Sequence, residues 1–197
     1  MKNYKIARHD TSQTLFCGYF KDFKTCLETA ISNKINLHYA DLSAQNLTNA
    51  NLDDGVLSHA DFSKTNLSGA NLSETYCKGA NFSESSLFNT CFAYSNLNNC
   101  NFTDAEFGAT DIIGSIIDGA TFSTLSAFTL NFTTTRQMKD CHFITEHGEH
   151  IEFSEPPITI QGLSKQPTMI IGDKTFEGHK RIHTIKNPAD LFKMQKS

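Results

Sequence analysis

Apolar side chains recur at every fifth residue over half of this chain. The series runs Leu37, Leu42, Leu47, Leu52, Leu57, Phe62, Leu67, Leu72, Cys77, Phe82, Leu87, Phe92, Leu97, Phe102, Phe107, Ile112, Ile117, Phe122. Only Cys77 is less than strongly apolar, and a free Cys buries well. Two residues before each member the side chain is nearly always small, as at Ala40, Ala50, Ala60, Ala70, Ala80, Ser85, Cys100, Ala105 and Ala120. Asn, Asp, Ser and Thr fill most of the positions between. A period of five fits neither a helix nor a flat strand. Strict self-similarity at a short fixed period signals a repeat architecture.

The flanks have other patterns. In residues 1–34, Tyr4–Arg8 and Thr14–Cys17 read as two strands of a hairpin, turned by the polar run His9–Gln13. A helix is expected from Asp22 to Asn33. Phe23, Cys26, Leu27, Ala30 and Ile31 form one apolar stripe, with Asp22 as N-cap and Asn33 as stop. A stack of coils exposes unpaired backbone and apolar side chains at its ends, so this stripe should cover the open end of the repeat core. In residues 135–197, His142–Thr145 and His150–Phe153 flank His147-Gly148 as a hairpin. Ile158–Ile160 and Thr168–Ile171 read as further strands. A short helix is expected from Asn187-Pro188 to about Met194.

Residues 35–134 resemble the pentapeptide repeat family, whose loose pattern is A(D/N)LXX. Clear instances are Ala40-Asp41-Leu42-Ser43-Ala44, Ala50-Asn51-Leu52-Asp53-Asp54, Ala60-Asp61-Phe62-Ser63-Lys64, Ala70-Asn71-Leu72-Ser73-Glu74 and Ala80-Asn81-Phe82-Ser83-Glu84. The resemblance implies a mainly β fold, a right-handed quadrilateral β-helix solenoid of about five coils, here with small α/β caps at both ends. Four pentapeptides make the four sides of a coil. The central Leu or Phe and the small residue two before it point inward. A 20-residue coil sorts the core into columns, one of them Leu42, Phe62, Phe82, Phe102, Phe122 and another Leu52, Leu72, Phe92, Ile112, Phe132. The expected organisation is an N-terminal cap over 1–34, the repeat over 35–134 and a C-terminal cap over 135–197. Hairpin-plus-helix caps resemble an arrangement of phage-encoded relatives.

Charge divides the chain the same way. Residues 1–34 carry six Lys/Arg and three Asp/Glu, or +3; residues 35–134 carry two and ten, or −8; residues 135–197 carry nine and eight, or +1. The sum is the net −4 of the whole chain. No basic field points to direct nucleic-acid binding, and no apolar run is long enough for a membrane helix. No signal peptide is legible. The six cysteines show no CxxC spacing and read as reduced thiols of a cytoplasmic chain.

Enzyme chemistry finds little support. No glycine-rich phosphate loop, dinucleotide fingerprint or nucleophile elbow is present. Ser and Asp abound as outward repeat positions, Cys77 and Cys100 are inward packing residues, and Cys91 points outward. His147/His150 and His179/His183 would need a third ligand for a metal site, which Cys141-His142 could supply, but His179 to His183 reads as extended rather than helical and no Glu follows as in HExxH, so they read as hairpin and loop residues. Neither a catalytic residue, a metal nor a cofactor is expected.

The candidate binding residues are instead displayed ones. The side of Phe62 and Phe82 carries Asp41, Asp61, Glu84 and Asp104, relieved by Lys64. The opposite side carries Asp53, Asp54, Glu74 and Asp111. Phe88 and Tyr94, with Ile113, are expected to project near one corner as an aromatic patch. The expected function is a non-enzymatic protein-interaction module that presents a rigid acidic β-helix to a partner protein. The resemblance also implies an alternative, a DNA mimic that binds DNA gyrase, a topoisomerase or another DNA-binding enzyme. Duplex DNA carries about 14 charges over about 24 Å, and this rod carries just over half of that. A structural, virion-type component is a third possibility, and a homodimer formed through the C-terminal cap is a weaker expectation.

Overall fold

The computed structural model describes residues 1–123, 125–145, 148–160, 168–172, 174–177 and 180–184. The expected helix over 187–194, His147 and His179 lie outside the described residues.

Residues 35–123 wind into a right-handed quadrilateral β-helix. Bridges join residues twenty apart in parallel: Asp41 to Asp61 to Asn81 to Asn101, Asn51 to Asn71 to Cys91 to Asp111, and Val56 to Tyr76 to Asn96 to Ile116. We number the faces by first-coil or second-coil residues: face 1 holds 40–44, face 2 holds 45–49, face 3 holds 50–54 and face 4 holds 55–59, each recurring every twenty residues. Successive faces meet at a tight turn in which the small residue's N–H bonds back to the large one, as Ala60 N to Leu57 O at 3.0 Å and Ser95 N to Phe92 O at 3.1 Å.

These turns impose a backbone cost that the hydrophobic pattern does not announce. Every fifth residue from Tyr39 to Gly119 has φ between +52° and +72°. Only four of these, Gly69, Gly79, Gly114 and Gly119, are glycines. An L-residue in this region costs about 1 kcal/mol. Inter-coil pairing offsets it: Leu42 N donates to Asp61 O at 2.9 Å, Ala44 N to Ser63 O at 2.8 Å, and Asp61 N to Ala40 O at 2.9 Å.

Inside, the apolar columns form as their spacing requires. Phe62, Phe82, Phe102 and Phe122 stack nearly parallel at 4.9, 5.1 and 5.3 Å between ring centroids. Phe92 meets Phe82 edge-on at 5.4 Å. Small inward residues leave room for the rings, and those with a polar atom satisfy it on the backbone. Thr65 Oγ1 donates to Leu42 O at 2.8 Å and Ser85 Oγ to Phe82 O at 2.6 Å, while Cys100 Sγ lies 3.0 Å from Cys77 O. Buried hydroxyls therefore escape the penalty of an unmade bond.

The first end is closed by β1 (Lys2–Ala7), β2 (Thr14–Phe20) and α1 (Phe23–Ser32). Asp22 accepts from Thr25 N at 2.7 Å, a side-chain cap. The buried stripe of α1, Cys26, Leu27, Ala30 and Ile31, joins the repeat core. Polar groups fasten its rim: Glu28 Oε1 accepts from Asn51 N at 2.9 Å, and Lys24 Nζ donates to Thr48 O at 3.2 Å. The end of β1 caps face 1, with Asp41 N donating to Ala7 O at 2.8 Å.

Parallel pairing does not stop at residue 134. Ile116 bridges Gln137, and Thr121 and Phe122 pair with His142 and Phe143, so the offset grows from twenty to twenty-one. Two short 3-10 turns, Leu125–Thr129 and Phe132–Thr134, lie within the lengthened coil. Cys141 and Phe143 then occupy the small and large inward positions, both buried. Strand Cys141–Ile144 turns back antiparallel on His150–Phe153. Ile158–Ile160, Thr168–Ile171, Lys174–Glu177 and Lys180–Thr184 form a separate antiparallel sheet.

Candidate functional site

Since the core side chains are consumed by packing, function has to lie in what the turns and outward strand positions display. Burial pushes the thiols of Cys77 and Cys141 up to about 12, and that of Cys100 well above its ordinary value. These sulfurs are packing atoms and not nucleophiles at neutral pH. Among the described residues no group of three or more His, Cys, Asp or Glu is arranged to hold a metal ion, and no helix is long and apolar enough to cross a membrane.

The carboxylates of faces 1 and 3 stand on opposite sides of the rod, but many already have partners. On face 1, Asp61 Oδ1 accepts from Ser63 N and from Asn81 Nδ2, each at 3.0 Å. Asn81 accepts in turn from Asn101 at 3.1 Å, so Asp61 begins an inter-coil ladder. Asp41 accepts from Ser43 N and Oγ at 3.2 and 2.7 Å. Glu84 pairs with Lys64 at 3.6 Å, and Asp104 accepts from Ser123 Oγ at 3.1 Å. On face 3, Asp54 pairs with Lys34 at 2.5 Å and Asp111 accepts from Ile113 N at 2.9 Å. Asp53 and Glu74 are exposed. The Asp residues just before a core Leu, Ile or Phe thus fold back on the backbone two residues later, a role any repeat Asn or Asp can fill.

The aromatic residues part company. Phe88 lies in the turn Leu87–Thr90, between faces 2 and 3, and Tyr94 in the next, Phe92–Ser95, between faces 3 and 4. They do not share a corner, contrary to the expected patch. The period-five register makes the reason plain afterwards: Phe88 directly follows its core residue, whereas Tyr94 stands two after the next one. Tyr94 lies across Gly114, where an added Cβ would come within 2.5 Å of the ring. Ile113 shares face 3 with Tyr94, Val56 and Tyr76 stand on face 4, and all four are exposed.

A cluster that the sequence did not reveal fastens the N-terminal cap. Tyr39 stacks on His59 at 5.0 Å, with the guanidinium of Arg8 4.5 Å from the Tyr39 ring centroid. His38 lies 4.3 Å from Tyr39 and 5.3 Å from His59. His9 N donates to Tyr39 O at 2.9 Å, and the His9 ring bonds His59 O at 2.9 Å. Arg8 is held by Asp10 at 2.6 Å, and this pairing keeps the Asp10 carboxyl at about 2. Partial burial lowers the pKa of His59, and His38, Lys78 and His9 lower it further.

A lowered folded-state pKa means that the unfolded chain binds the proton more readily. Stability from His59 is complete above about pH 6.5 and falls as the pH drops below that value. The Asp10–Arg8 pair keeps its charges until well below this window, since it is lost only as pH falls through about 2. We expect the thermal midpoint to fall between pH 7.5 and 5.5, and His59→Asn to flatten that fall. Asn suits the site: Asn49 and Asn99 sit over Gly69 and Gly119 as His59 sits over Gly79. Parallel pH profiles of parent and variant would refute the assignment.

Comparison with protein families matches the model for pentapeptide repeats, in eight copies, over residues 35–74, 65–104 and 80–123. No curated protein matches. Among solved structures, a pentapeptide repeat protein from the Arabidopsis thaliana thylakoid lumen is similar at 19% identity, covering 53% of this chain and 68% of that one, with a TM-score of 0.42. HetL, involved in heterocyst differentiation regulation in the cyanobacterium Nostoc, is similar at 26% identity over 46% of this chain and 37% of its own, with a TM-score of 0.34. QnrB1, a plasmid-mediated fluoroquinolone resistance protein, is similar at 21% identity over 49% and 56%, with a TM-score of 0.16.

Proposed function

We propose that this chain, whose residues 35–123 belong to the pentapeptide repeat family, is a non-enzymatic, cytoplasmic protein-interaction module that presents its β-helix to a partner protein. The observation that carries this reading is the placement of charge on a stiff frame. Face 1 holds Asp41, Asp61, Glu84 and Asp104 against Lys64, a net −3; face 3 holds Asp53, Asp54, Glu74 and Asp111, a net −4. Continuous inter-coil hydrogen bonds fix these groups in rows, so little ordering cost is left to a binding step. Rows of one sign accelerate and orient encounter with a basic surface.

A second reading is favoured by the opposition of the two acidic faces, which resembles the two phosphate rows of a duplex. Here the partner is a DNA-binding enzyme such as gyrase, and the chain stands in for DNA. Against it weigh the modest charge density and the Lys34 and Lys64 pairs.

Binding of the full chain to immobilised gyrase, with and without competing duplex DNA, separates the two. Displacement by duplex supports mimicry; binding that duplex leaves untouched rejects it. Reversal of one face at a time, Asp41→Lys with Glu84→Lys or Asp53→Lys with Glu74→Lys, is expected to weaken partner binding at least tenfold for the face that is used. Asp61 is left in place because Asn81 and Ser63 depend on it. Undiminished binding by both double variants would overturn the acidic-surface reading.

A further inference from the structure

We infer that this protein assembles head to tail, the free edge of β2 on one copy pairing with the free edge of strand His150–Phe153 on the next. Face 1 is one continuous ladder along the rod. Asp41 N donates to Ala7 O at the end of β1, and pairing then runs coil by coil from Asp41 through Thr121 to His142 and Glu152. Each end of the ladder is a hairpin. The outermost strand, β2 at one end and His150–Phe153 at the other, is therefore paired on one side only.

Strand alternation tells which backbone groups stand at each edge. Ala7 turns its carbonyl to face 1, whereas Arg8 bonds within its own hairpin, Arg8 N to Gln13 O at 2.8 Å and Ser12 N to Arg8 O at 3.0 Å. Ile6 and Tyr4 thus bond to Phe16 and Gly18, and the N–H and C=O of Cys17 and Tyr19 point away from β1. At the far end His142 N donates to Ala120 O at 2.9 Å, so Cys141 and Phe143 bond to Phe153 and Ile151. The N–H and C=O of His150 and Glu152 then point outward. Among the described residues these backbone groups have no partner. Cys17, Tyr19, His150 and Glu152 also expose their side chains, while Phe16, Phe20, Ile151 and Phe153 turn inward to the core. With Cys17 opposite Glu152 and Tyr19 opposite His150, each antiparallel pair exchanges both N–H···O bonds and the apolar faces coincide. Direction fits as well. β2 runs with the coil strands and His150–Phe153 runs against them, so copies on one axis meet antiparallel.

Charge selects this contact over two-fold ones. Residues 1–21 carry Lys2, Lys5, Arg8 and Lys21 against Asp10, a net +3, whereas residues 140–155 carry five Asp/Glu and no Lys or Arg. Lys5 stands beside Cys17 on the exposed side of the hairpin, one strand from the place that Glu152 of the next copy takes. Pairing β2 with β2, or the far strand with itself, sets like charges together; head-to-tail pairing sets opposite ones together. Nor is the β2 edge blunted, since Leu15 to Phe20 contain neither a charge nor a proline. A contact between two unlike surfaces along one axis does not close, so it propagates as an open filament. The area of a strand edge is small, which makes the assembly weak and dependent on concentration.

The test is sedimentation velocity of the full chain at low salt. Weight-average mass should at least double between about 5 and about 500 μM. Tyr19→Pro removes an outward N–H from β2 and Glu152→Pro removes one from the far strand, and neither N–H serves its own hairpin. Each variant alone should stay monomeric. Their mixture should stop at dimers, because one chain keeps the acidic edge and the other the basic edge. Circular dichroism checks that both are folded. Lys5→Glu and Glu152→Lys, which leave the backbone intact, should each weaken association at least fivefold, and the two in one chain should recover most of that loss. A dimer that persists in either proline variant alone is a two-fold contact and overturns the inference. Growth indifferent to the charge reversals overturns it as well. So does a chain that is monomeric at every concentration, even where a labelled peptide of residues 149–155 binds to β2, which would make that edge the site of another protein's acidic strand.

Discussion

Phe82→Ala should be among the most destabilising single changes in this protein, lowering stability by about 3–5 kcal/mol. The ring is fully buried at the middle of a ladder. It stacks on Phe62 at 4.9 Å and Phe102 at 5.1 Å, and meets Phe92 edge-on. Truncation removes the transfer energy of the ring and the contacts of three neighbours. The coil cannot collapse around the gap, because inter-coil hydrogen bonds fix its four sides at the spacing of a β-ladder. In a solenoid each coil is stabilised by its neighbours, so a weak third coil divides the stack. Chemical denaturation should show a lower midpoint and a broadened transition or a second one. A loss below about 1 kcal/mol would mean that the ladder relaxes and that the frame is softer than its hydrogen bonding implies.

Ala80→Leu should destabilise through the opposite change in volume, by about 1–3 kcal/mol or more. Ala80 is fully buried in a column of small residues, Ala60, Ala80, Cys100 and Ala120, beside the Phe ladder. A Leu there meets side chains above, below and across the coil. It has no route to solvent, since Ala80 N and O are both committed, to Cys77 O and Asn101 N. The paired changes form a check on the packing scheme. Adding volume at the small position and removing it at the large one should both harm, and Phe82→Leu should be milder than either. Parent-like thermal stability of Ala80→Leu would place the residue elsewhere than in the core.

Much of this was legible in the chain alone. The five-residue period assigned each Leu and Phe to the core, the 20-residue coil sorted them into columns, and α1 was bounded by Asp22 and Asn33 as its pattern required. Such features are encoded locally: each pentapeptide carries its own inward pair, and each cap residue acts within one turn. Even the left-handed turn positions leave a trace, in Gly69, Gly79, Gly114 and Gly119 and in the Asn and Asp residues that share their phase.

What the tertiary structure decided are the matters in which side chains compete for neighbours. Asp61 is a ladder residue and Asp53 a displayed one, although both read as outward carboxylates: Asp61 stands just before its core residue and meets Asn81 in the next coil, whereas Asp53 stands just after one. Phe88, at the end of strand Ser86–Phe88, and Tyr94, in the turn after Phe92, fall on successive corners because they belong to successive pentapeptides. The lengthened coil before Cys141 breaks the period that made the rest readable, and the pairings of Ile116 with Gln137 and of Phe122 with Phe143 restore the ladder at an offset of twenty-one. His9 and His59 are fifty residues apart, and nothing local joins them. Docking of the N-terminal cap brings the His9 ring to the His59 carbonyl in one hydrogen bond. The sequence by itself determined the frame, because the frame is a repeated short-range rule. The surface chemistry was left to the fold, because a group's charge, freedom and neighbours are set by contacts between coils and caps that no five-residue window contains.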